Sequence, residues 1–185
     1  MRRVYLAGPE VFLADAAAIG DAKRAVCAAH GLDAAFPLDA EGDVEALLAA
    51  GRPQEAGLAV FAGCVELMAS CDAVIANLTP WRGVSADVGT AVEVGWFLGR
   101  GLPVFAYTNE SASLLDRVPD DGHRVEPFGF ADNAMLEGAV RAVGGGVERC
   151  AVAPERRWHD LTAFERCVER LAVLSDADGA GRSHG

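Results

Sequence analysis

Cationic side chains are scarce in this chain: 16 Lys and Arg face 27 Asp and Glu, a net charge of −11. Nucleic-acid polymers and anionic membranes are held by Lys/Arg surfaces, so neither is expected as the main partner. A free nucleotide is not excluded, because backbone N–H groups at a helix start can hold a single phosphate. Cysteine patterning is missing too. The 5 cysteines, at 27, 64, 71, 150 and 167, form no CxxC pair and no metal-ligand spacing with the 4 histidines. Reduced, mostly buried thiols of a cytoplasmic protein are expected, with no metal and no cofactor. MRRVYLAGPEVF carries only a short apolar run before Asp15, which does not read as a secretory leader, and no run reaches membrane-spanning length. No internal repeat and no second domain are visible.

What remains is a chain of 185 residues, half of it hydrophobic, enough to bury one substantial core. RVYLAG (3–8) reads as a first strand ending in a Gly-Pro turn. Residues 13–30 carry apolar side chains at helical spacing and stop at His30-Gly31. DAAFPL (33–38) reads as a second strand, and 53–70 as a helix with Pro53 in its first turn. CDAVIANL (71–78) is continuously apolar, as a central strand of a parallel sheet is. A helix over about 85–100 and a strand at 102–108 follow. This β-α-β-α-β-α-β order predicts an α/β fold with a doubly wound, mostly parallel sheet. Beyond it come a short helix near 111–117, a polar loop, a helix near 132–143, a GGG break at 144–146 and an amphipathic helix at 161–174. Residues 1–174 are expected to form one domain, and the small polar stretch 175–185 a disordered tail.

In an open parallel sheet, ligands bind beyond the C-terminal strand ends. GPEVF (8–12), FPLD (36–39), NLTPWRGVSAD (77–87) and YTNES (107–111) emerge there, bringing Gly8, Phe12, Asp39, Asn77, Trp81, Ser85 and Asp87. Ser85 is a natural N-cap for the helix that follows. Within GVSADVGTAVEVGW (83–96), Glu93 is a lone carboxylate in an apolar helix. An unpartnered buried carboxylate changes protonation or finds hydrogen bonds. It is therefore either a paired core or helix–helix seam residue, or a reactive group. Tyr5, on the first strand, reaches the same crevice with a phenol able to hold it. Asp87, six residues earlier, is about 120° away around the helix, yet both can meet one ligand with two ends. Carboxylates attacking an anomeric carbon are standard in glycosyl chemistry.

Four segments, VYLAGPEVF (4–12), FPLD (36–39), SCDAVIANLTPWRGVSADVGTAVEVG (70–95) and RVEPFGFADNAML (124–136), make the chain resemble the nucleoside 2-deoxyribosyltransferases and related nucleotide N-glycosidases. The resemblance implies a flavodoxin-like sheet of about five strands flanked by helices, and a homo-oligomer acting on small nucleosides and nucleobases. It implies Glu93 as the nucleophile at C1′, Tyr5 as its orienting partner and Asp87 as the receiver of the sugar 5′-hydroxyl. It also makes Asn133 a residue lent to the neighbouring subunit's site. The chain departs from the pattern at Cys64, where the family carries Asp or Asn, and a thiol is a weak proton donor to a leaving base. Transfer to a second base, hydrolysis of a nucleoside or its 5′-monophosphate, and non-catalytic nucleotide binding remain the alternatives.

Other residues have two readings each. Phe12 is a staple on the first helix or a wall against the base. Trp81 is a lid or a subunit contact. Asp39 binds substrate or caps a turn. His30 and His159 read as helix-end caps, Trp96 and Phe97 as core or interface, and Asp120-Asp121 as a solvated loop.

Overall fold

The computed structural model describes residues 2–40 and 43–181. Five strands, β1 (Arg3–Ala7), β2 (Asp33–Ala35), β3 (Ala73–Asn77), β4 (Val104–Thr108) and β5 (Val147–Arg149), form one all-parallel sheet in the order β2-β1-β3-β4-β5. Seven helices of the described residues flank it: α1 (Ala16–Ala29), α2 (Val44–Ala49), α3 (Pro53–Ala69), α4 (Val88–Gly99), α5 (Leu114–Arg117), α6 (Ala134–Val143) and α7 (Thr162–Gly181). None is long and apolar enough to cross a membrane.

The run of apolar residues in β3 and β4 is buried at every position, because helices cover both faces. Side-chain alternation divides the core in two. Val4, Leu6, Ile75, Phe105 and Tyr107 face α1 and α7. Tyr5, Ala7, Val74, Ala76 and Ala106 face α3, α4 and α6. Helix-to-strand reversals use left-handed glycines: Gly31 (φ 72°) after α1 and Gly101 (φ 67°) after α4. Leu32 N–H and Leu102 N–H then donate back to Cys27 and Phe97 carbonyls at 3.0 and 3.1 Å, closing the helix ends.

The chain passes from β1 to β2 on one side and returns to β3 on the other. That reversal opens a crevice beyond the carboxyl ends of β1 and β3. Tyr5 lies in register with Ala35 and Val74, so the strands on both sides hold its backbone.

The structure departs from the sequence expectations in three places. The fifth strand that the resemblance implies is present, but its place was not foreseen: β5 is three partly buried residues after the glycine run, with no apolar stretch to announce it. The short helix α2 precedes α3 where no element was expected. Helix α7 continues to Gly181, into the stretch expected to be a disordered tail, since a helix already nucleated by its amphipathic half extends at little cost. Residues 182–185 of that stretch lie outside the described residues.

Candidate active site

A cavity of about 570 Å³ opens at the crevice. Gly8 and Phe12 line it from the turn after β1, and Pro37 and Leu38 from the turn after β2. Helix α3 supplies Val60, Phe61, Cys64, Val65 and Met68, and the start of α4 supplies Asp87, Thr90 and Glu93. The wall is apolar with a few convergent polar groups, the usual make-up of a small-molecule site.

Glu93 lies on this wall, and the Tyr5 hydroxyl donates to its Oε1 at 2.6 Å. Tyr5 is fully buried, so the bond is shielded from water on the β1 side. Burial pushes the Glu93 carboxyl up to about 7, with the Asp87 and Glu10 charges adding to it and the Tyr5 bond opposing it. Burial and the neighbouring Glu93 together hold the Tyr5 phenol far above its usual range, so it remains a donor. Glu93 thus sits near the balance between a carboxylate and an acid at neutral pH. Cys64 lines the same cavity, and burial raises its thiol above the ordinary value, which keeps it protonated.

Asp87 is the N-cap of α4: its Oδ2 accepts from Thr90 N–H at 3.1 Å, and the side chain also borders the cavity. Ser85, expected to cap this helix, does not. Its hydroxyl donates to Asp132 Oδ1, while Ala86 N–H donates to Asp132 Oδ2 at 2.7 Å. Arg117 reinforces this anchor, donating to the carbonyls of Val84, Ala112 and Ala131 at 3.0, 2.6 and 2.7 Å. The loop between β3 and α4 is therefore braced from behind, and Ser85 points away from the cavity into a groove on the other side of α4.

The remaining candidates separate as clearly. Phe12 is on the cavity wall, stacked on Trp81 at 5.8 Å, and Trp158 meets Trp81 edge-on at 5.3 Å. Trp81 lies behind Phe12, beside a smaller adjoining cavity that also touches Asp87. Asp39 is not on the cavity wall. One of its oxygens accepts from Phe36 N–H at 2.8 Å and the other pairs with Arg24 at 2.5 Å, so it caps the turn after β2. Asn77 is buried on the α1/α7 side, where its amide donates to Glu10 at 2.8 Å. Asn133 caps α6 and donates to Glu126 at 2.9 Å. It lines the groove across α4 with Ser85, not the Glu93 cavity of its own chain. His30 bonds the Val26 carbonyl at the end of α1, and His159 pairs with Asp15. Phe97 is core, with its ring 6.0 Å from that of Tyr5. Among the described residues no group of three or more His, Cys, Asp or Glu is placed to hold a metal ion.

Sequence reasoning passed over two features. The apolar α3 wall gives no motif, only a helix with too many exposed large side chains, Leu58 and Phe61 among them. The second is Glu10, fully buried in the turn GPE and paired with the equally buried Lys23 of α1. Gly8 is a consequence of that pair. Its φ of 162° is ordinary extended backbone, but a Cβ there would lie 2.0 Å from Glu10 Oε2 and 3.0 Å from Asn77 Cβ. Gly8→Ala should therefore cost about 1–3 kcal/mol of stability by overpacking, read as a fall in the denaturation midpoint. An unchanged midpoint would mean that Glu10 can swing aside.

Residues 4–135 match the family model described as nucleoside 2-deoxyribosyltransferase. An uncharacterized protein of Schizosaccharomyces pombe is 30% identical over 170 residues, covering 78% of this chain and 79% of that one. Among solved structures, a 2-desoxiribosyltransferase from Leishmania mexicana superposes with a TM-score of 0.65 at 26% identity, covering 91% of this chain and 98% of that one.

Proposed function

The chain belongs to the nucleoside 2-deoxyribosyltransferase family, and we propose that it breaks the N-glycosidic bond of 2′-deoxynucleosides through a glycosyl–Glu93 intermediate and passes the deoxyribosyl group to another nucleobase. The observation that carries this reading is the 2.6 Å Tyr5–Glu93 hydrogen bond on the wall of a nucleoside-sized cavity. A carboxylate oxygen of Glu93 attacks C1′, the C1′–N bond breaks, and its electron pair leaves with the base, which takes up a proton. The transition state has oxocarbenium character, and the nearby negative charge favours it. A ring nitrogen of the second base then attacks C1′, Glu93 departs as carboxylate, and the incoming base gives up its N–H proton to the group that protonated the first one. Tyr5 keeps one Glu93 oxygen fixed, so the other is the one free to react. The Cys64 thiol, protonated and on the cavity wall, is the nearest substitute for the acid that the family pattern places there.

The sugar lies at the Glu93–Asp87 end, with its 5′-hydroxyl donating to Asp87. The base lies against Phe12 and the α3 wall. Asn133, on an exposed helix start, is assigned to the cavity of a neighbouring copy in a homo-oligomer.

Incubation with deoxyinosine, alone and with adenine, tests the reaction. Deoxyadenosine formation supports transfer, release of free deoxyribose alone would make water the acceptor, and no turnover of either kind would leave a binding module. Asp87→Asn separates sugar contact from helix capping. Asn caps as well as Asp, so the melting temperature should hold. Loss of a hydrogen bond to a charged acceptor should raise KM for the nucleoside roughly tenfold or more. An unchanged KM would remove Asp87 from the sugar.

A further inference from the structure

Beneath the turn that follows β1 lies a buried charge that the proposed chemistry does not use. Glu10 is 0% exposed and Lys23 1%. Three donors converge on one oxygen, Glu10 Oε1: the Lys23 ammonium, the Asn77 amide at 2.8 Å and the Tyr107 hydroxyl at 3.1 Å. The ammonium also rests over the Tyr107 and Phe164 rings, at 5.5 and 5.4 Å. The second oxygen, Oε2, is buried and has no hydrogen-bond partner. It is aimed at Gly8, where a Cβ would lie 2.0 Å from it, and Gly8 is itself part of the cavity wall. A buried polar atom left bare is costly, and replacing such an ion pair by apolar side chains is often neutral or stabilising. Stability alone does not account for this pair.

We propose that Glu10 is a positioning residue for Glu93: clamped from below by Lys23, Asn77 and Tyr107, it holds the Gly8–Pro9 turn as the cavity floor and directs the field of its bare oxygen across Gly8 at the reacting carboxylate. The asymmetry is what makes the device work. All the compensating donors are gathered on Oε1, on the α1/α7 side of the sheet, so the uncompensated side of the carboxylate faces the cavity. Burial, Asp87 and then Glu10 all act to raise the proton affinity of Glu93, and the Tyr5 bond acts against them. A more basic carboxylate is a stronger nucleophile once ionised, and a second negative charge nearby favours positive charge developing at the sugar. The charged and titratable groups around the pair are Tyr5 from β1, Cys64 from α3 and Asp87 from the start of α4 on the Glu93 side. On the Glu10 side they are Lys23 from α1 and Tyr107 from β4, with Cys167 of α7 behind Tyr107.

The catalytic part of this inference rests on the glycosyl-transfer reading above; the electrostatic part does not, and the test separates them. The titration of Glu93 is followed by carbon-13 NMR of glutamate-labelled protein, assigned with Glu93→Gln, in wild type and in Glu10→Gln. The Glu93 midpoint is expected to fall by roughly half a pH unit or more in Glu10→Gln. Under turnover, the acid limb of kcat/KM should move to lower pH by the same amount, and kcat should drop roughly tenfold at its plateau with KM little changed. If Glu10→Gln does not fold, Glu10→Met/Lys23→Met replaces both charges by apolar side chains and should shift the Glu93 midpoint in the same direction. A Glu93 midpoint that does not fall in a folded variant overturns the proposal, whatever the turnover. A shifted midpoint in a protein that turns over no nucleoside would instead leave the coupling intact and defeat the glycosyl-transfer reading.

Discussion

Glu93→Gln is expected to lose at least about four orders of magnitude in kcat, the scale on which removing a covalent nucleophile acts. It should also show no sugar adduct by mass spectrometry after incubation with a 2-fluoro-arabino nucleoside, under conditions where wild type acquires one. The same substitution should make the protein more stable. Burial raises the Glu93 carboxyl to about 7 in the folded chain, from its ordinary value of 4.5. A group whose folded value is raised lends its stability below the unfolded value and withdraws it as pH climbs through the folded one. Above pH 7 the ionised Glu93 therefore costs the fold up to about 3 kcal/mol relative to acid conditions. Glutamine carries no charge at any pH, so Glu93→Gln should melt several degrees higher than wild type at pH 8 and nearly the same at pH 4.5. Loss of activity with gain of stability is the signature of a residue kept for chemistry. A variant that retains turnover, or one destabilised at pH 8, would return Glu93 to the role of a packed core carboxylate.

Tyr5→Phe is the second large effect. The ring stays, and so does its packing near Phe97, but the donor to Glu93 Oε1 is gone. A hydrogen bond to a charged group contributes about 1.5–3 kcal/mol, equal to roughly one to two pH units in the Glu93 titration. Because the bond favours the ionised form, its loss moves the acid limb of the activity profile upward, from near 7 toward 8 or 9. Wild-type Glu93 is half ionised at pH 7, so the variant should there be roughly 5- to 50-fold slower, with much of the loss regained at pH 9. An unshifted limb would show that the phenol does not govern the charge on Glu93.

How much of this was visible in the chain depends on the distance over which each feature is made. The alternation of apolar runs and helical spacings is local. It carries the β-α order, the buried central strands β3 and β4 and the crevice at their ends. Glu93 stood out because a carboxylate in an apolar helix breaks a local pattern, and Asp87 because it opens that helix. Asp39 in FPLD had two readings, and a physical reason decides between them: an Asp two residues past a proline can reach back to the chain, and Asp39 does so, taking Phe36 N–H and Arg24 instead of facing the cavity. Ser85 has the right chemistry for a cap but is drawn off by Asp132, 47 residues away, which no spacing rule anticipates. The same holds for Glu10 and Lys23, each unremarkable alone and joined only when α1 packs on the sheet. Strand β5 was silent because three partly buried residues at a sheet edge need no apolar run.

The brace behind the β3–α4 loop has a practical corollary. Asp132 and Arg117 clamp the Asp87 side of the cavity to distant parts of the chain, whereas Val60, Phe61, Cys64 and Val65 project from successive turns of a helix that makes none of those ties. That brace therefore does not reach the α3 wall, whose link to the Glu93 end runs through Cys64 and Tyr5. Combinatorial libraries confined to Val60, Phe61 and Val65, with Cys64 kept beside Tyr5, should remodel which bases are accepted while the sugar-holding geometry is inherited unaltered, making that helix the natural handle for engineering.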